Sequence, residues 1–399
     1  MPDSTVPIPH HSSLPISVPE TTIELAEFVT TAHQQQTPLI VAGNSSKIDW
    51  GGLVSTANSI VSTQKLDRLI AHAVGDLTVT VEAGMSLHKL QGTLATANQF
   101  LPLDPAYPET ATVGGIISTA DTGSLRHRYG GVRDLLLGIT FVRADGKIAK
   151  AGGRVVKNVA GYDMMKLFTG AYGTLGILTE VTFRVYPLPV ASGTVVLTGT
   201  PERLMEAAKI LLRSTLTPIA VDVLSTAFSQ QLAISDSPSL VVKFATVPES
   251  IAQQSAQLLD IGKGLGLKGG MWQGEQEYHL WAGIQTGIWG TGAIGCKLGV
   301  RATAAVEIVA SLDRLTQNNK AVIHLASGIG VCSLSDVSEI TPIRRQCEAA
   351  GGFLSVLQAS PEIKQQIDVW GYRGNAVPLM RQIKTQFDDH GILNPGKCF

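Results

Sequence analysis

Residues 170–187 read GAYGTLGILTEVTFRVYP. Gly170, Gly173 and Gly176 stand three apart and run directly into alternating apolar and polar residues, the pattern of a half-buried strand. A glycine turn that opens onto a strand excludes the phosphate loop of doubly wound folds, whose glycines must lie between a strand and a helix so that the helix N-terminus faces the pyrophosphate. Gly264, Gly266 and Gly269 in GKGLGLKGG match G-x-G-x-x-G by spacing, but no strand precedes them and no helical pattern follows, so they are read as a loop.

The surrounding pattern alternates helices and strands. Thr21 followed by Glu24 is a capping-box start for TTIELAEFVTTAHQQQ, and PLIVAG after it reads as a short buried strand. That strand ends in AGNSSK, where small residues let the backbone turn and point successive N–H groups at one spot, a nest suited to phosphate. Ser86 is placed to cap SLHKLQGTLATAN, ADGK joins two strand patterns as a hairpin, and NVAGYDMMKLFTGAYG reads as helix until its glycines stop it. Prolines close the strand before residue 189; strands and helices then resume, a last helix AVPLMRQIKTQFDD follows, and ILNPGKCF closes the chain. The organisation expected is a flexible tail over 1–17, a first domain over 18–189, a smaller α+β domain over 190–385 and a terminal segment over 386–399.

At 399 residues the chain exceeds the usual single-core size. Its 31 Lys and Arg nearly balance 32 Asp and Glu, so no field favours nucleic acid or an anionic membrane. The first twenty residues lack the basic and apolar segments of a secretory signal, and the uncharged run 279–296 carries glycines and Gln285 that argue against a membrane span. That run is expected to be a glycine-rich wall or buried interface. Cys296, Cys332, Cys347 and Cys398 are too scattered for an iron–sulfur or zinc site, and a cytoplasmic location is expected. Of nine histidines only His10 and His11 are adjacent, so no metal centre is expected.

Three glycine-rich segments recur within the first domain: Gly43 to Lys47, Thr112 to Gly123 with Gly114-Gly115, and the turn at Gly173 to Gly176. The first offers backbone donors, Asn44, Ser45, Ser46 and the cation of Lys47 to a pyrophosphate. The second offers bare backbone to a flat ring. One extended ligand with both demands is a flavin dinucleotide.

PLIVAGNSSKIDWGG, PETATVGGIISTADTG, KNVAGYDMMKLFTGAYGTLGILTEV and GILNPGK together resemble the FAD-binding domain of the vanillyl-alcohol oxidase / p-cresol methylhydroxylase (PCMH) superfamily, over roughly residues 18–189 and the last few. The third stretch is most similar to FAD-binding subunits of bacterial glycolate oxidase. The resemblance implies an α+β fold, a two-subdomain PCMH-type FAD-binding domain followed by a smaller α+β cap. It implies that Gly43, Asn44, Ser45, Ser46 and Lys47 hold the pyrophosphate, that Thr112, Gly114, Gly115, Thr119 and Gly123 line the flavin, and that Gly176 and Ile177 lie near the adenine or ribose. Asn394, in an Asn-Pro-Gly segment before Lys397, would return the C-terminus to this domain. The loop departs from the family's consecutive glycines and holds no His or Cys to tether flavin, so noncovalent FAD is expected.

The activity implied is oxidation of a 2-hydroxy acid, of the glycolate or D-lactate class, by hydride transfer to flavin N5. Electrons would pass to a partner: a second flavoprotein subunit and an iron–sulfur subunit, through which membrane association would come. His324, in a strand pattern leading to Gly328 and Gly330, is the candidate base; Arg126, Arg128 and Lys157 are candidate partners for a carboxylate or for the reduced flavin. The paired histidines and carboxylate of the metal-binding hydroxy-acid branch are missing from the sequence pattern. This leaves two alternatives: a non-catalytic FAD-fold assembly or electron-relay subunit, and a standalone FAD oxidase of another alcohol or amine.

Overall fold

The computed structural model describes residues 14–154, 161–290 and 294–398. The chain divides into two compact units, the first comprising Met1–Thr122, Gly130–Leu188 and Arg373–Phe399, the second Gly123–Tyr129 and Pro189–Tyr372. Mixed helix and sheet runs through both, as α+β patterning implies.

In the first unit the helix Thr22–Gln34 is capped as its sequence requires. Thr21 Oγ1 accepts from Glu24 N at 3.1 Å, and the Glu24 carboxylate turns back to accept from Glu20 N at 2.9 Å. Leu25, Ala26, Val29 and Ala32 form its buried face, at helical spacing, and pack with Leu39, Val61, Val142, Ile177 and Ile392. The strand Leu39–Ala42 pairs in parallel with Ser59–Ser62, which pairs in parallel with Ile16–Ser17. Residues 16–17 therefore belong to a sheet and not to a flexible tail: Ile60 N donates to Pro15 O at 2.9 Å, tying the backbone ahead of the helix.

An antiparallel sheet follows in the order Leu69–Ala73, Thr78–Glu82, Ile177–Arg184, Leu136–Val142, Ile148–Gly152. The last two strands are the expected hairpin, turning at Gly146 with φ +79°. The short helix Met164–Phe168 precedes the glycine turn, and that turn does open onto a strand, with Gly170, Tyr172 and Gly173 at φ +82°, +52° and +69°.

The helix Val377–Phe387 belongs to this first unit, so the return of the chain begins near 373 and not at 386. The reason is local. Lys384 Nζ donates to Thr174 O at 2.8 Å and Leu393 O at 2.9 Å and pairs with buried Asp388, while Ile392 N and Leu393 N donate to the Asp388 carboxylate at 2.9 and 2.8 Å. Burial pulls the Lys384 ammonium below the usual lysine range, against the opposing pull of Asp388.

Among its described residues the second unit is built on one eight-stranded antiparallel sheet with Val195, Leu197, Val221, Val223, Leu240 and Phe244 in its core. Lys268–Trp272 is an edge strand of this sheet, paired with Ala191–Thr198, where a loop is expected from GKGLGLKGG. Gly266, at φ +69°, makes the turn from the helix Pro248–Gly264 into it. The glycine-bearing stretch after it forms the helix Gly274–Thr286. Glycine depresses helix propensity, but tertiary contacts override it here. Glu277 and Trp281, one turn apart, both reach Thr194 Oγ1, at 2.8 and 2.9 Å, and a Cβ at Gly283 would sit 2.4 Å from Leu232. Among the described residues no helix is long and apolar enough to cross a membrane.

Candidate functional site

Three glycine segments and the C-terminal return converge on one cleft in the first unit. Its walls include Gly43 to Ile48, Thr112, Gly114, Gly115, Ser118, Thr119, Tyr172, Gly173, Gly176 to Leu178, Asn394 and Lys397. Apart from Gly123, every FAD-contact residue expected from the sequence lines it.

The loop after Leu39–Ala42 turns at Ser45, whose φ of +60° is the left-handed conformation that aims neighbouring N–H groups to one side. Ile48 N closes the turn on Ser45 O at 3.2 Å. Ser62 Oγ holds Gly43 O at 2.8 Å, and Asn44 Nδ2 donates to Thr110 O at 3.2 Å. The Asn44 amide thus secures the loop to the second glycine segment; expected as a phosphate donor, it already spends one N–H inside the protein.

Lys47 is buried, and its ammonium lies 2.7 Å from Asp121 Oδ2 and 5.4 Å from the Trp50 ring centroid. Burial holds its pKa below the ordinary lysine value, with Asp121 pulling the other way. The ion pair was not legible in the sequence, because Lys47 and Asp121 lie in different glycine segments.

Gly43 faces Thr112 so closely that a Cβ there would meet Thr112 Oγ1 at 2.2 Å, and a Cβ at Gly114 would meet Ala83 O at 2.9 Å. Thr112 Oγ1 in turn accepts from Gly115 N at 3.2 Å, and Thr119 Oγ1 donates to Gly115 O at 2.8 Å. Gly170 N and Tyr172 N donate to Ile117 O and Ser118 O at 3.0 and 2.8 Å, joining the third segment to the second. Burial drives the Tyr172 phenol far above its ordinary range, so it stays neutral.

Asn394 fastens the C-terminal return to the rest of the cleft. Its Oδ1 accepts from Val41 N at 2.8 Å, its Nδ2 donates to Tyr172 O at 2.8 Å, and its own N–H donates to Leu39 O at 2.9 Å. Ser118, Tyr172 and Gly173 were missing from the expected contact residues. Gly173 could have been found from the glycine turn, whereas Tyr172 and Ser118 carry no local signal.

Gly123 falls in the second unit, outside the cleft lining, as do Arg126 and Arg128 on the short helix Arg126–Tyr129. Lys157 lies outside the described residues. His324 is not solitary: on the strand Lys320–His324 it stands opposite Asp222 of Ala220–Leu224, and Nδ1 lies 2.8 Å from Asp222 Oδ1. Ser124 Oγ donates to the other oxygen of Asp222 at 2.5 Å. Asp222 is fully buried and His324 nearly so, and neither lines the cleft of the first unit. His127 is in the same neighbourhood; burial lowers its pKa, with the Asp222 charge opposing. The signal for Asp222 was available, a lone carboxylate inside the apolar run AVDVL.

This donor set fits a flavin dinucleotide: a left-handed loop with a buried cation for phosphates, glycine walls with no room for side chains, and a neutral phenol and amide beside them. The first unit therefore has the make-up of a PCMH-type FAD-binding fold. Residues 15–152 match the model of the FAD binding domain family. The chain is 37% identical over 169 residues to glycolate oxidase subunit GlcE of Escherichia coli (strain K12), covering 42% of this chain and 48% of that protein. It is 30% identical over 183 residues to glycolate oxidase subunit GlcD of Bacillus subtilis (strain 168), covering 45% of this chain and 39% of the relative. The matches thus span half or less of these relatives. A longer, weaker match, 23% over 418 residues, covers 95% of this chain and 72% of the mitochondrial D-lactate dehydrogenase [cytochrome] of Arabidopsis thaliana. The structure of p-cresol methylhydroxylase with substrate bound superposes with a TM-score of 0.76 at 16% identity, over 96% of this chain and 88% of that one, which establishes the shared fold.

Proposed function

We propose that this chain is an FAD-binding subunit of a glycolate-oxidase-like or D-lactate-dehydrogenase-like system that oxidises a 2-hydroxy acid. The observation that carries the reading is the single cleft into which three glycine segments and Asn394 converge, two of those segments lying in the stretch that matches the FAD binding domain model. Bound FAD would supply a two-electron acceptor, its N5 taking the hydride from the carbon that bears the hydroxyl. The backbone N–H groups of Gly43 to Lys47, with the Lys47 charge, would hold the pyrophosphate. Thr112, Gly114, Gly115 and Thr119 would line the flavin, and Gly176 and Ile177 the adenine or ribose side. Among the described residues lining the cleft none is His or Cys, which supports noncovalent binding.

His324 is the proposed general base. Asp222 holds Nδ1, so Nε2 would take the substrate's hydroxyl proton and the imidazolium formed would be stabilised by the buried carboxylate. Electrons would leave through a second flavoprotein subunit and an iron–sulfur subunit. The printed names of the Escherichia coli and Bacillus subtilis relatives, both subunits, support a complex. The second reading, an assembly or electron-relay subunit, also draws on those names.

The test is a visible spectrum of the purified full chain followed by anaerobic glycolate and D-lactate. Flavin absorption that is released by acid precipitation and bleaches with either acid supports the catalytic reading. His324→Gln should then slow bleaching by about 100-fold or more without changing flavin content. Flavin that persists unbleached assigns chemistry to a partner, and a chain that neither carries nor binds FAD overturns the cleft assignment.

A further inference from the structure

We infer that His33, Asp389 and His390 form a binding site for a borderline divalent transition metal such as Zn²⁺, on the first unit and apart from the flavin cleft. One ligand atom from each residue lies within 4.8 Å of the others. His33 sits in the last turn of the helix Thr22–Gln34, while Asp389 and His390 follow the helix Val377–Phe387, so two distant parts of the sequence supply the ligands. The two imidazole rings have centroids 4.5 Å apart.

Their present contacts do not account for this arrangement. His33 Nδ1 is shielded from solvent and has no hydrogen-bond partner among the described residues; its nearest acid oxygen, Asp389 Oδ1, is 3.9 Å away. That separation is too long for a hydrogen bond. It is close to the spacing of two ligands on one ion, since bonds of ~2.1 Å at a tetrahedral angle place ligand atoms ~3.4 Å apart. Asp389 Oδ1 also accepts from His390 N at 3.1 Å, which orients the carboxylate as an outer contact would. Exposed Asp389 and His390 can close the remaining distance by side-chain rotation.

Two imidazoles and one carboxylate select Zn²⁺, Ni²⁺ or Cu²⁺ over Mg²⁺ and Ca²⁺, which require oxygen-rich shells. Three protein ligands leave a position for water. A metal there would fasten the C-terminal return to the first helix, two residues before Ile392 O accepts from Leu39 N at 2.7 Å. The role is therefore a clamp on the segment that carries Asn394.

The experiment is calorimetric titration of the chelator-stripped full chain with Zn²⁺, and in parallel with Mg²⁺, with thermal unfolding recorded in each. One Zn²⁺ should bind and raise the unfolding midpoint, while Mg²⁺ does neither. His390→Ala, a change at an exposed side chain, and His33→Gln should each weaken Zn²⁺ binding at least about tenfold and abolish the thermal shift. No stoichiometric Zn²⁺ uptake, or uptake of unchanged affinity in His390→Ala, would overturn the assignment. Both readouts are independent of flavin and of turnover, so they separate this site from the function of the cleft.

Discussion

Replacing Asn394 by alanine isolates the contact that closes the cleft of the first unit. The side chain satisfies two backbone groups at 2.8 Å, Val41 N–H and Tyr172 C=O, and the residue sits at φ +46° with 4% exposure. Alanine would orphan both groups. Each costs about 1 kcal/mol at a cleft wall that water can reach, the lower end of the range for a buried unsatisfied group. Alanine also tolerates the left-handed conformation less well than asparagine, adding about 1 kcal/mol. The expected total is about 3 kcal/mol. Asn394→Gly removes the conformational penalty but orphans the same groups, so it should cost about 2 kcal/mol. Asn394→Asp keeps the acceptor for Val41 but turns a second oxygen toward Tyr172 O, and should fall between glycine and wild type or below both if the carboxylate stays charged.

Urea unfolding of the full chain, followed by hydrogen exchange in the peptide spanning 38–43, measures the stability of this region directly. A deficit of 2 kcal/mol corresponds to about a 30-fold change in the folded-to-unfolded ratio. Flavin affinity, from fluorescence titration of added FAD, should fall in the same order. If alanine and glycine variants both unfold within 0.5 kcal/mol of wild type, the amide does not hold the C-terminal return and the clasp argument fails.

Gly43→Ala would set a methyl 2.2 Å from Thr112 Oγ1, so it should cost about 2 kcal/mol and lower FAD affinity, checked by denaturation and fluorescence titration. Glu277 accepts from Ser192 Oγ and Thr194 Oγ1 at 2.7 and 2.8 Å within the second unit, so Glu277→Ala should lose about 3 kcal/mol by urea melts and Glu277→Gln much less. His127 has a folded-state pKa depressed below 6.5 mainly by burial. Below that value the unfolded chain binds more protons than the folded one, so stability should fall as pH drops through 6.5 and level off below the folded pKa; His127→Gln should flatten this part of the urea-midpoint profile between pH 7.5 and 5.

The glycine turn at 170–176, the caps at Thr21 and Ser86 and the hairpin at Gly146 were legible in the sequence because each is decided within about four residues, by a positive φ or a short side-chain-to-backbone bond. The convergence of the three glycine segments could be inferred from their shared ligand chemistry, although no single segment required it. Tertiary structure alone decided the rest. Asp222 meets His324 across 102 residues, and Asn394 reaches Val41 across 353. Strand register and chain return set such contacts, and neither leaves a periodic trace in the residues concerned. The helix Gly274–Thr286 shows the same limit from the other side. Its glycines obscure the helical pattern in the sequence, whereas the buried Thr194–Glu277–Trp281 contacts, made once the sheet has assembled, favour helix there.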